Sequence, residues 1–192
     1  MKNRFTQKAQ NALNFALSSA SDMGHTYIGS EHLLLGLCRE ESGVAAHYLQ
    51  SREVDAEKVK NAIIRLAGAG VPCQVSATDM TPRTKNIIES SLYESQRNGQ
   101  DYIGTEHLLL SILEERDCVA VKMLESLGIR TADIRQDIVE FLEGLSEIAP
   151  VLREEDESEA RGALKNAPTL AKYGRDLTET AEEGRLDPVI GR

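Results

Sequence analysis

Residues 7–23 place Ala9, Ala12, Leu13, Ala16, Leu17 and Ala20 three and four positions apart, the spacing that gives a helix one apolar stripe. Thr6 precedes the stripe as an N-cap and Gly24 follows it as a stop. In the connection that follows, Tyr27 and Ile28 read as apolar anchors and Gly29 as a permissive backbone position. Ser30 then reads as the cap of a second helix, with Glu31 in its first turn, where the helix dipole favours a carboxylate. The run from Leu33 to Leu37 is almost wholly apolar, so this helix is predicted to be central and buried. A short third helix is expected near 43–51 and a fourth near 55–67.

The whole pattern then returns. Tyr27-Ile28-Gly29-Ser30-Glu31-His32-Leu33-Leu34-Leu35 is answered by Tyr102-Ile103-Gly104-Thr105-Glu106-His107-Leu108-Leu109-Leu110, a shift of 75 residues (106 − 31). At the same shift Thr6 meets Thr81, Asn11 meets Asn86, Leu17 meets Leu92, Gly24 meets Gly99 and Leu49 meets Leu124. Thr81-Pro82 marks the first helix start of the second copy clearly, because proline in a first turn loses no hydrogen bond. The counterparts of the third and fourth helices fall near 118–127 and 131–143. Repetition of this kind predicts an all-α fold: a duplicated four-helix repeat of eight helices with pseudo-two-fold symmetry. The copies span 5–69 and 80–144 within one domain at 1–144, and a turn-rich linker from Gly68 to Asp79 joins them.

Past residue 144 the pattern lapses. Glu154-Glu155-Asp156-Glu157 and its polar surroundings read as a flexible acidic linker over 145–168. Order resumes over 169–192, from Leu170-Ala171-Lys172-Tyr173-Gly174-Arg175-Asp176-Leu177-Thr178 to Leu186-Asp187-Pro188-Val189-Ile190-Gly191-Arg192, as though a larger module begins there.

Composition narrows the function. The formal charge of −9 disfavours nucleic acid and anionic membranes as partners. No apolar run approaches the length of a membrane span, and no leader-like segment opens the chain, so a soluble, cytoplasmic protein is expected. Cys38, Cys73 and Cys118 have no metal-binding or redox spacing and read as reduced thiols. His-Glu-x-x-His and Gly-x-Ser-x-Gly are both missing. The Glu31-His32 and Glu106-His107 pairs could be acid–base machinery, but adjacent helical residues point about 100° apart. A histidine hydrogen-bonded near its helix start is the simpler reading, so neither an enzyme nor a metal site is indicated.

Binding is the better prospect. Helix starts at Thr6, Ser30, Thr81 and Thr105 offer backbone N–H groups to an anion, and Glu31 and Glu106 could grip a guanidinium from two sides. Together they fit a ligand with an anionic end and a guanidinium behind it. The same residues could equally be caps and dipole partners that serve folding alone.

The doubled Gly-Ser/Thr-Glu-His-Leu-Leu-Leu unit resembles the N-terminal domain of Clp-family Hsp100 unfoldases, and the closing Leu-Asp-Pro-Val-Ile-Gly-Arg resembles the entry to their first AAA+ module. Arg4-Phe5-Thr6 and Thr81-Pro82-Arg83 are most similar to the ClpC type. The resemblance implies a docking domain that delivers tagged or unfolded proteins, or adaptors of the MecA type, to an ATPase hexamer coupled to the ClpP peptidase. It also implies phosphoarginine as the tag, with Glu31 and Glu106 on the guanidinium, Thr6 and Thr81 on the phosphate, and Ser30 and Thr105 beside them. A regulatory module that packs on the ring without touching clients, and a small-molecule receptor, are the alternatives. No cofactor is expected in this stretch. ATP and magnesium would belong to a longer parent, since the chain has no Gly-Lys dipeptide for a phosphate loop and Val189 to Arg192 would lie beside the adenine there. Copy two departs from copy one at Glu115-Arg116-Asp117-Cys118 against Glu40-Glu41-Ser42-Gly43, at Pro82 against Gln7 and at Ser111 against Gly36, so the two sites are expected to differ in affinity.

Overall fold

The computed structural model describes residues 4–144. The apolar stripes become α1 (Gln7–Asp22), α2 (Ser30–Arg39), α3 (Val44–Gln50), α4 (Ala56–Ala67), α5 (Pro82–Arg97), α6 (Thr105–Glu114) and α7 (Val119–Ser126). An eighth helix, α8, covers 131–144. The fold is all-α, with two four-helix units in the same order. The acidic linker and the module start expected at 145–168 and 169–192 lie outside the described residues.

The second helix of each unit is central, as its apolar run required. Leu33, Leu34, Leu35 and Leu37 of α2, and Leu108, Leu109, Leu110, Ile112 and Leu113 of α6, are buried in one continuous core. Each such side chain contributes about 1.5–3 kcal/mol by leaving water. α1 lies against α2 so closely that a side chain at Gly36 would strike the Ala12 carbonyl. Thr6 and Thr81 cap α1 and α5, their hydroxyls accepting from Ala9 N at 3.1 Å and Thr84 N at 3.2 Å.

The connection from Gly68 to Asp79 is less of a turn than its composition suggested. Outside a turn at 77–78 it has no regular structure and is held to the end of α1, where Gly70 N donates to Met23 O at 2.8 Å and Cys73 N to Ser21 O at 3.1 Å. The last carbonyls of α1 lack partners within the helix, and the linker's N–H groups supply them. Gly24, with φ of 71°, turns the chain there and lets the Gly70 backbone come into contact.

Two short parallel backbone bridges tie the copies together, Phe5 to Ile103 and Ile28 to Met80. Ile103 N donates to Arg4 O at 2.7 Å and Thr6 N to Ile103 O at 2.9 Å. In the other bridge Ile28 N donates to Asp79 O at 2.9 Å and Thr81 N to Ile28 O at 3.0 Å. Each bridge lays the start of one copy's first helix beside the start of the other copy's second helix.

Candidate functional site

That crossing decides which predicted residues meet. The repeat invited a pairing within each copy, Thr6 with Glu31 and Thr81 with Glu106. The bridges instead join Thr6 to the segment leading into Glu106, and Thr81 to the segment leading into Glu31. Side chains alternate between faces along extended backbone. Ile103 and Ile28 turn inward and are buried. Tyr102, Gly104, Arg4 and Thr6 therefore share the outer face of one bridge, and Tyr27, Gly29, Asp79 and Thr81 that of the other.

Over these glycines fold the two carboxylates. A Cβ at Gly29 would collide with the Glu31 carboxylate, and one at Gly104 with that of Glu106. Glu31 is 5% exposed and Glu106 7%. Burial is the main influence on both carboxyls and raises their pKa above the ordinary glutamate value. Each residue's own backbone N–H opposes that rise, followed by His25 and the Ser30 hydroxyl at Glu31 and by the Thr105 hydroxyl and Lys8 at Glu106. Among the described residues no lysine or arginine comes within 4.0 Å of either carboxylate. Their close neighbours are histidines, His32 Nδ1 at 3.4 Å from Glu31 and His107 Nδ1 at 3.3 Å from Glu106.

These Glu–His contacts are nearer than a 100° separation on the helix surface suggested, because both side chains bend back over the helix start. They are not ion pairs. Burial holds His32 and His107 at a pKa of about 4, so both are neutral near pH 7. Gly29 N donates to His32 Nδ1 at 3.0 Å, and Gly104 N donates to His107 Nδ1 at 3.0 Å. Those bonds assign the ring proton to Nε2. In copy one that proton goes to His25 Nδ1 at 2.8 Å, and His25 Nε2 donates in turn to Gly68 O at 3.1 Å. Both nitrogens of His32 are thus occupied, which suits a fixed cap and leaves none free to act as a general base. Copy two has Gln100 where copy one has His25, and His107 Nε2 and Gln100 Oε1 are buried there without partners.

Ser30 and Thr105 do something other than expected. The N-caps of α2 and α6 are Gly29 and Gly104, with the histidines completing each cap, so Ser30 and Thr105 stand one residue inside the helix. Their hydroxyls cross to the other copy. Ser30 Oγ accepts from Ala120 N at 3.2 Å and Thr105 Oγ1 from Ala45 N at 3.3 Å. They cap α7 and α3, whose own N-cap residues, Cys118 and Gly43, offer no side-chain bond. Both residues are buried in these joints.

The tyrosines also differ from the expectation. Tyr27 is 41% exposed and Tyr102 47%, so the paired isoleucines do the anchoring alone. Each phenol ring stands edge-on to the buried histidine, 5.9 Å from His32 and 6.5 Å from His107 between centroids. Each site thus combines a buried carboxylate, a helix N-terminus capped by threonine and a half-exposed aromatic ring. The repetition of Tyr at 27 and 102 was the signal for the third component. A groove of about 780 Å³ lies elsewhere, along Leu113, Arg135, Val139 and Glu140, and contains none of these groups.

No helix among the described residues is long and apolar enough to cross a membrane. Cys38, Cys73 and Cys118 are free thiols.

The model of the Clp repeat (R) N-terminal domain matches residues 4–127 and 79–173. The chain is 42% identical over 195 residues to the negative regulator of genetic competence ClpC/MecB of Bacillus subtilis (strain 168), covering all of this chain and 23% of that protein. Among solved structures, the N-terminal domain of the ClpD chaperone from Arabidopsis thaliana superposes with a TM-score of 0.62 at 23% identity, over 73% of this chain and 95% of that one. A complex of the ClpV N-domain with a VipB peptide gives a TM-score of 0.56 at 17% identity, over 72% of this chain and 87% of that one. The chain spans about a quarter of the length of the curated relative.

Proposed function

Because the chain belongs to the Clp repeat N-terminal domain family, we propose that residues 4–144 dock client proteins for an ATP-dependent Clp unfoldase. In this reading the clients enter through arginine side chains modified with phosphate. One observation carries it: each copy buries a carboxylate that, among the described residues, has no lysine or arginine within 4.0 Å. A buried, unmatched carboxylate is costly unless something positive arrives. A guanidinium can meet both of its oxygens in one plane. The N-terminus of α1 or α5, beside the carboxylate, then faces whatever anion the guanidinium carries.

The peptide held by the ClpV N-domain supports the reading that this fold serves as a docking surface. Adaptors of the MecA type are a second class of cargo for the same domain. The longer protein would contribute the ATP- and magnesium-dependent ring, and the acidic stretch after residue 144 would keep the docked cargo near it. A phosphoarginine titration followed by amide NMR tests the proposal. Shifts are expected at Thr6, Tyr27, Thr81, Tyr102, Glu31 and Glu106, and should vanish in the Glu31→Ala/Glu106→Ala double variant. Shifts that are absent, or that survive the double variant, would leave the carboxylates as structural groups only.

A further inference from the structure

The two sites are built alike but charged differently. Beside Thr6 and Glu106 stands Arg4, whose carbonyl belongs to the Phe5–Ile103 bridge. The residue in the matching place beside Thr81 and Glu31 is Asp79 (4 + 75 = 79), whose carbonyl belongs to the Ile28–Met80 bridge. Both are exposed, and alternation puts both on the face shared by threonine, tyrosine and carboxylate. A unit of positive charge at one site is thus a unit of negative charge at the other.

The next pair is cationic in both copies and differs in its partners. Lys8 and Arg83 occupy equivalent positions in the first turns of α1 and α5. Lys8 Nζ donates to the Ser42 carbonyl at 2.6 Å, and its charge is the smallest of the influences that oppose the burial-driven rise of the Glu106 pKa. Arg83 is drawn away, its Nη1 on the Asp117 carbonyl at 2.7 Å and its Nε 3.4 Å from Glu115 Oε1. The matching loop beside Lys8 carries Glu40, Glu41 and Ser42 where copy two has Glu115, Arg116 and Asp117, so both cations stand near acidic residues.

We infer that the two sites divide the ligand between them. The Arg4, Thr6, Lys8 and Glu106 site takes a guanidinium bearing a phosphoryl group, with Arg4 and Lys8 as its phosphate-selecting residues. The Asp79, Thr81 and Glu31 site takes an arginine side chain without phosphate, because Asp79 repels a phosphoryl group and adds to the field that attracts the bare cation. This division rests on the docking function proposed above and specifies which arginine each site accepts. A client with one modified and one unmodified arginine would engage both sites at once, and a fully modified client would engage one.

Calorimetric and NMR titrations of the whole chain with phosphoarginine and with arginine amide test this, using amides near Thr6 and Thr81 as separate reporters. Phosphoarginine is expected to bind at Thr6 about tenfold more tightly than at Thr81, and arginine amide to show the reverse order. Asp79→Arg should bring the two phosphoarginine affinities together, and Arg4→Asp should equalise them by weakening the first. Asp79 also accepts from Ser76 N at 2.8 Å, so Asp79→Asn serves as the variant that keeps an acceptor and removes only the charge. It is expected to close part of the gap. Equal phosphoarginine affinities at the two sites of the unaltered chain, or a gap unmoved by both Asp79 variants, would overturn the division and leave docking intact. Binding of neither ligand at either site would overturn docking and the division together.

Discussion

At the scale of single residues, the carboxylates that make the site attractive to a cation also burden the fold. Glu31 and Glu106 have pKa values raised by burial, so the folded domain holds their protons more tightly than the unfolded chain does. The sign follows directly: the destabilisation is full above the raised value and disappears below the ordinary glutamate value of 4.5. Replacing each carboxylate with the neutral amide of the same length removes that cost. Glu31→Gln/Glu106→Gln is therefore expected to melt a few degrees higher at pH 7, for a gain of about 1 kcal/mol. The gain should shrink as the pH falls toward 4.5, while binding of a guanidinium is lost throughout. Thermal melts across that range check it, and a variant that melts lower at pH 7 would mark the carboxylates as net stabilisers of the fold. The candidacy of these glutamates was legible in the sequence because they repeat. Their burial was not, since a first-turn glutamate is ordinarily solvated. Tyr27 and Tyr102 show the converse: their apolar character predicts burial, and the alternation along the bridge turns them outward.

At the scale of helices, the starts of α1 and α5 are legible to the residue, because threonine caps and a proline mark them, and long apolar runs mark α2 and α6 as buried. What the sequence concealed is that caps are exchanged. A serine before a helix ordinarily caps that helix, and nothing local says that glycine takes the role while the hydroxyl serves a helix 90 residues away. Removing that hydroxyl should therefore act at a distance. Ser30→Ala is expected to cost about 1 kcal/mol, the usual range for a lost cap. The loss should appear as faster amide hydrogen exchange at Ala120 in α7, with α2 itself unaffected. Thr105→Val should do the same at Ala45 in α3. Exchange that accelerates in α2 or α6 instead would mean the hydroxyls act within their own helices. The same joints bear on function, because each cap-donating residue adjoins the carboxylate of its site. Ser30 Oγ lies 3.5 Å from Glu31 Oε2, and Thr105 Oγ1 lies 3.4 Å from Glu106 Oε2.

For the whole molecule, duplication was legible as a repeat, and the repeat invited a picture of two units side by side. Each unit is in fact completed by the other. Copy one needs Thr105 to cap α3, and copy two needs Ser30 to cap α7. Phe5 bonds through its neighbours to Ile103, Arg52 pairs with Asp137, and Tyr48 meets Phe141 with ring centroids 6.2 Å apart. Most core residues of both copies form one cluster, so separating the copies would expose leucines of α2 and α6 that now lie against the partner copy. A chain of about 70 residues also buries a smaller fraction of its surface than one of twice that length. Residues 4–79 expressed alone are therefore expected to lack a cooperative thermal transition, whereas residues 4–144 should melt in one step. The two candidate sites would vanish with the separation, since each takes its threonine from one copy and its carboxylate from the other. Mixing the separate halves offers the decisive comparison by circular dichroism and calorimetry. Recovery of helix and of phosphoarginine binding on mixing is expected if the copies complete each other, and a folded, ligand-binding half on its own would show that one repeat suffices.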